Sequence, residues 1–168
     1  MHAHRARLRL HRCGARGGRR AARGFTLMEL FMALIVLGVV TALAVSSYAR
    51  YATRSRNAVA IRDVGRIQLA VDRYVLNHDG ATPPDLDAVG MGGLLDPWGN
   101  PYRYLSFTGL RGRGAMRKDH NLVPINTDFD LYSMGPDRAS SPPLTARHSR
   151  DDIVRANDGA FIGVASDY

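Results

Sequence analysis

"RGFTLMELFMALIVLGVVTALAVSSYA", residues 23–49, decides the fold. Residues 30–49 of it carry no charge. As a helix rising about 1.5 Å per residue, that run spans about 30 Å, the thickness of a hydrocarbon core. A buried helix of a soluble protein usually keeps one polar face. This run keeps none, so it reads as a membrane-spanning helix. Gly38 at its middle is ordinary for such a helix. The odd residue is Glu29, an acid placed where the apolar run begins.

Working outward to the N-terminal side, residues 1–24 contain Arg5, Arg7, Arg9, Arg12, Arg16, Arg19, Arg20 and Arg23, and no acid. Eight of the 23 basic residues therefore sit in this arm, and the remaining 15 balance the 15 acids. The formal charge of +8 is a property of the arm alone. Beside an apolar run, an Arg-rich flank marks the cytoplasmic side of a membrane segment rather than a nucleic-acid contact. The single cysteine, Cys13, excludes an intrachain disulfide and any zinc site built on two cysteines of this chain.

On the other side, the helix is expected to continue. No proline interrupts residues 50–77. Ile61, Val64, Gln68, Val71, Val75 and His78 recur at spacings of three or four, with Leu69 and Tyr74 added on one side. Arg54, Arg62, Arg66 and Arg73 lie largely elsewhere. The pattern predicts an amphipathic helix. Gly65 weakens it by about 1 kcal/mol against alanine. Asn77, Asp79, Gly80 and Pro83 signal its end. One continuous rod over residues 25–78 would be roughly 80 Å long.

The remaining residues predict a small head. "DPWGNP" (96–101) fits a type I turn with Pro97 second and Gly99 fourth. Strands are expected in "YRYLSF" (102–107), in "DFDLYSM" (128–134) and in "AFIGV" (160–164), with "TGLRGRGAMRKDHN" opening the loop between the first two. Trp98 reads as a packing anchor. About 90 residues make a thin core by themselves, so the helix face must supply much of it.

The motif "GFTLMEL" resembles the processing site of type IV pilins and of type II secretion pseudopilins. The resemblance implies that prepilin peptidase cuts after Gly24 and that the new terminus, Phe25, is N-methylated. Glu29 then becomes the fifth mature residue, where the family carries its glutamate. A carboxylate at the centre of a membrane helix costs about 2.5–3.5 kcal/mol. Near the helix end the side chain reaches the interface and meets the positive end of the helix dipole. In a packed filament core that water is lost, and a cationic partner offsets the loss. The amine of Phe25, in the same or a neighbouring chain, is such a partner.

Further blocks narrow the resemblance. "YVLNHDGATPPDL", "LDPWGNPYRY" and "DFDLYSMGPD" are similar, in the same order, to the G-type pseudopilin. That family implies a calcium ion in the loop after the strand "DLYS" resembles, held by two adjacent aspartates and backbone carbonyls, here Asp151 and Asp152 with Asp137 preceding them. Hard oxygen ligands in a loop suit calcium. Two departures stand out. The connecting stretch is "RASSPPLTARHSR" rather than a Gly- and acid-rich loop. Ser46 also replaces the family's proline, which would kink or melt the helix. "ANDG" (156–159) either adds Asp158 to the site or simply forms a turn.

The expected fold is therefore α+β and pilin-like, with a long helix packed on a small antiparallel sheet. Residues 1–24 are the cleaved leader, 25–49 the transmembrane half, 50–78 the amphipathic half and 79–168 the periplasmic head. The expected function is a structural subunit of a periplasmic pseudopilus, single-pass in the inner membrane with its N-terminus cytoplasmic. Its partners would be further copies of itself, prepilin peptidase, other pseudopilins, an inner-membrane platform and an assembly ATPase, with no nucleic acid. A minor type IV pilin and a signal-anchored or released periplasmic binding domain are the alternatives. Release would follow cleavage after "ALA" (42–44) and expose Val45. Catalysis finds little support. Asp128 and Asp130 share a strand face at most. "GLRGRG" lacks the Lys-Ser/Thr of a phosphate loop, and His78, His120 and His148 show no close metal spacing.

Overall fold

The computed structural model describes residues 24–168, so the basic arm and Cys13 lie outside the described residues. The first element is a single α-helix, α1, over Leu27–Asn77. It matches the continuous rod expected over residues 25–78. Ser46 leaves the helix unbroken, and Arg50 reaches back one turn to it. Arg50 Nη2 donates to Ser46 Oγ at 3.2 Å and Nε to the Ser46 carbonyl at 3.4 Å. The C-terminal end is closed by the residues expected to close it. Asp79 and Gly80 take left-handed φ values of 52° and 86°, and the Gly80 N–H returns to the Val75 carbonyl at 3.0 Å. Such a reversal satisfies carbonyls that the helix itself leaves open.

The chain divides into two compact units within this helix, the first ending at Leu43 and the second being Ala44–Tyr168. Every residue from 24 to 51 is exposed. Among the described residues, α1 is the one helix long and apolar enough to cross a membrane. Its most apolar 18-residue window has a mean hydropathy of 2.4, and none of that window is buried.

In the second unit α1 buries a stripe made of Ala60, Asp63, Val64, Ile67 and Val71. The steps of three and four between these positions keep them on one face. The stripe runs one step aside from the one expected. Val64 and Val71 belong to it, Val75 packs at its margin, and Ile67 lies at its centre. Leu69 is 60% exposed instead. It follows Ile67 by two positions, which turns it toward the opposite side of a helix.

Four short strands follow: β1 (Arg103–Ser106), β2 (Phe129–Ser133), β3 (Ile153–Ala156) and β4 (Phe161–Val164). They form one antiparallel sheet in the order β1-β2-β3-β4. Three strands were expected, and β1, β2 and β4 are those three. The fourth, β3, lies in the tail beyond the acidic pair, where no strand is expected. It has only four residues, and Arg155 breaks its apolar character, so no alternation signal could form.

The period-two geometry of a strand sorts the core into two faces. Phe129, Leu131 and Ile153 pack with Ala60, Val64, Ile67 and Val71 of α1, together with Leu86 and Tyr102. Trp98 packs at the edge of that cluster, as an anchor should. Val154 and Ala156, one residue out of step, join Ile125, Leu144 and Ala165 in a second cluster. The helix thus covers one face of the sheet, and the long connections before β2 and β3 supply apolar cover for the other.

The turn at residues 96–101 is a tie as well as a turn. Gly99 N–H donates to the Asp96 carbonyl at 2.9 Å, the expected turn bond. The buried Asp96 carboxylate then accepts from the N–H groups of Trp98 and Asn100, and from Ser133 Oγ on β2 at 2.5 Å. The "ANDG" segment is the β3–β4 hairpin. Asn157, Asp158 and Gly159 all have positive φ, at 53°, 54° and 89°. Asp158 is occupied there, accepting from Thr127 N–H at 2.6 Å and Thr127 Oγ1 at 2.9 Å.

Candidate functional site

Two groups of residues were expected to carry function, and they lie in different units. The first is residues 24–29. Gly24, Phe25 and Thr26 precede the helix, and all are exposed. Thr26 starts α1. Its carbonyl accepts from Leu30 N–H at 3.1 Å, and its Oγ1 accepts from Glu29 N–H at 3.2 Å. Thr26 is therefore the N-cap, and Glu29 is the third helical residue. A Thr followed three residues later by Glu, just before an apolar run, is the sequence signature of a capping box. That signal was legible in "TLME", and the sequence reading passed over Thr26. The helix consequently begins two residues after Phe25, with Glu29 in its first turn and exposed. The acid sits at the positive end of the helix dipole, as the residue pattern predicted.

The second group is the acids of the head. Asp137 and Asp151 are neighbours. The Asp137 N–H lies 3.4 Å from Asp151 Oδ2, Asp137 Oδ1 accepts from Ala139 N–H at 2.8 Å, and His148 Nδ1 lies 3.4 Å from Asp137 Oδ2. Gly135 lets the chain approach this closely. Its φ is 64°, and a Cβ there would fall 2.5 Å from the Asp151 carbonyl oxygen. Asp137 and Asp151 line an open cleft of about 600 Å³ together with Arg147, His148 and Arg150.

Asp152 goes elsewhere. It is 0% exposed. Its Oδ2 accepts from Arg117 Nη2, the two forming a buried ion pair, and from Ser140 Oγ at 2.5 Å. Burial pushes its carboxyl up to about 6, against the opposing pull of the Ser140 hydroxyl and the Arg117 guanidinium. Asp130 is raised as well, again by burial, although Arg117 N–H and Asn126 both donate to it.

A resident calcium fits this arrangement poorly. Calcium takes six to eight oxygens around one point. Of the three carboxylates expected to serve it, Asp152 already gives one oxygen, Oδ2, to a guanidinium and a hydroxyl. The other two share their cleft with two arginines. Among the described residues no three His, Cys, Asp or Glu side chains converge as a metal-holding group. The expected set of Asp137, Asp151 and Asp152 is therefore not assembled. The reason is Arg117, a buried residue of the β1–β2 connection that no motif around "AMRKD" marks as part of the core.

The weak enzyme candidates are also accounted for. Asp128 forms a two-bond pair with Arg155 of β3, at 2.8 and 2.7 Å. Asp130 is buried rather than presented on an open sheet face. Among the described residues His78, His120 and His148 join no such metal-holding group.

The chain has relatives among known proteins. The chain is 31% identical over 139 residues to the type II secretion system core protein G of Pseudomonas aeruginosa, covering 71% of this chain and 87% of that protein. It is 29% identical over 139 residues to the core protein G of Aeromonas hydrophila, covering 71% and 86%. It is also 35% identical over 150 residues to the type IV major pilin protein PilE of Neisseria gonorrhoeae, covering 82% and 86%. No family model matches the chain, and no solved structure gives a significant match.

Proposed function

This chain belongs to the pilin-like family of type II secretion system core protein G, and from that premise we propose that it is a structural subunit, processed at Gly24–Phe25 and polymerised through α1. Prepilin peptidase cuts after Gly24. Phe25 becomes the methylated N-terminus. The subunit stands in the inner membrane with residues 25–49 in lipid and its head in the periplasm. An assembly ATPase and platform then draw it into a helical filament of its own copies and other pseudopilins.

The carrying observation is the exposure of residues 24–51. Among the described residues nothing covers the apolar surface of this stretch. Phe31, Leu34, Ile35, Leu37 and Leu43 are each more than half exposed. Burying one such side chain is worth about 1.5–3 kcal/mol. Lipid satisfies that demand in the lone subunit, and neighbouring helices satisfy it in the filament. Only the second environment removes water from Glu29, so the pairing with the Phe25 amine belongs to assembly and not to insertion. Type IV pilus membership is the second reading, favoured by the 35% identity to a pilin.

The test has two parts. Intact mass and N-terminal sequencing of the native protein should find methylated Phe25. A terminus at Val45 would instead mark a released domain, and an intact arm an anchored one. Glu29→Ala should enter the membrane normally yet fail to form filaments. Filaments of normal length from that variant would overturn the pairing.

A further inference from the structure

Arg117 is 3% exposed, and it is not on a strand. It sits in the connection between β1 and β2, yet it gathers three separate parts of the head. Its Nη1 donates to Ser140 Oγ at 2.5 Å and to the Ser141 carbonyl at 2.7 Å. Its Nη2 donates to Asp152. Its guanidinium lies 4.1 Å over the Tyr132 ring of β2. Its own N–H holds Asp130 of β2 at 2.6 Å. Ser140 also donates to Asp152, closing a triangle of side chains.

We propose that the Arg117 guanidinium is the built-in cation of the head, doing for the 139–152 connection what a bound divalent ion would do. The chemistry is equivalent in three respects. It neutralises the buried Asp152 carboxylate. It collects a hydroxyl and a carbonyl oxygen from the loop, which are the ligand types a hard cation takes. It anchors that loop to the sheet through Tyr132. The difference is that a guanidinium is always charged and is covalently part of the chain. The 139–152 connection therefore keeps its conformation without any ion supply. Asp152 Oδ1 and Arg117 Nε are buried without partners among the described residues. One free carboxylate oxygen beside a fixed positive charge is no cage for a second cation. The pair belongs to the head alone, so its test is independent of filament assembly.

The experiment uses the full chain in detergent, with Trp98 fluorescence following thermal unfolding and trypsin probing Arg147 and Arg150 in the pinned loop. For the natural sequence, the midpoint should be the same in millimolar calcium chloride and in excess chelator. Equilibrium dialysis with radioactive calcium should show no stoichiometric uptake. Arg117→Met should lower the midpoint and raise the cleavage rate in the loop by about tenfold or more, as expected of a locally opened segment. If that variant does not fold, Arg117→Lys, which keeps the charge but loses the fork of donors, reads the same contacts, with the cleavage rate as the signal. A chelator-induced fall in the natural protein's midpoint, or stoichiometric calcium uptake, would overturn the proposal. So would an Arg117→Met chain that melts and is cleaved like the natural one.

Discussion

Replacing Arg155 with methionine should destabilise the head strongly. The side chain is 2% exposed. It pairs with both oxygens of Asp128, donates to the Phe129 carbonyl at 3.1 Å, and places Nε 3.3 Å from Gln68 Oε1 on α1. Its guanidinium also stacks 3.9 Å over the Phe129 ring. One residue of β3 thereby ties the helix, β2 and the loop before β2. Methionine keeps much of the stem and fills similar space, so what is lost is the charge and the fork of donors.

The magnitude follows from what is left behind. Removing one partner of a buried ion pair costs about 3–5 kcal/mol, because the other charge stays unpaired. Asp128 keeps 34% of its side chain exposed. Water can then recover part of that cost, which brings the expectation to about 2–4 kcal/mol. At about 4 °C per kcal/mol for a domain of this size, the midpoint should fall by about 8–16 °C. Thermal unfolding of the full chain in detergent, followed by Trp98 fluorescence and far-ultraviolet dichroism, measures it. The double variant Asp128→Asn, Arg155→Met should lose less than the sum of the two single variants by more than about 1 kcal/mol, since the residues touch. A fall below about 4 °C for Arg155→Met, or strict additivity in the double variant, would refute the view that this pair locks the sheet to the helix.

Other outcomes follow from single groups. Gly65→Ala should stabilise the chain by up to about 1 kcal/mol, because an added Cβ meets only Ile162 Cδ1 at 3.9 Å, an ordinary contact, and alanine favours the helix; a lower melting midpoint would contradict it. Asp152 should make stability depend on pH. Its folded carboxyl holds a proton up to about pH 6 and the free side chain only to about 3.8, so its contribution is full below the lower value and is lost as pH rises through the upper one. Midpoints measured from pH 5 to 7 should therefore fall more steeply in the natural chain than in Asp152→Asn, and parallel slopes would remove this carboxyl from the account. Thr26→Ala should cost the first turn of α1 about 1 kcal/mol, read as faster amide exchange at Glu29 and Leu30.

Long-range periodicity was legible in the residues, and short irregular pairings were not. The 51 residues of α1 could be read because absent charges, absent proline and a three-four spacing all point the same way over many turns. The strands "YRYLSF" and "DFDLYSM" were found because aromatic and branched residues alternate between turn signals. The strand "IVRA" was missed because four residues cannot display a period. Its arginine looked like a solvent-facing residue until Asp128 and Phe129 supplied partners more than twenty-five positions away. The same gap concealed Arg117. A buried charge is legible only through its partners, and Ser140, Ser141 and Asp152 lie 23 to 35 residues downstream of it. The acidic pair Asp151 and Asp152 was visible as a pair. What separated them was strand geometry: adjacent residues at the entry to β3 point opposite ways, one to the cleft and one into the head.

That division of labour extends to α1 itself. Every buried residue it contributes to the core lies at Ala60 or beyond. The described apolar segment up to Leu43 contains no buried position. Core packing therefore does not constrain its sequence, since no jigsaw of neighbours within the chain would be disturbed by exchanging one aliphatic residue for another. Any demand on its sequence then comes from its surroundings rather than from core packing. For lipid, almost any apolar residue would serve. An acid at Glu29 adds nothing to that apolar match, and its place in the first turn only makes it tolerable there. Its place in the first turn, beside a threonine cap and four residues after Phe25, is the placement that the assembly pairing proposed above would use.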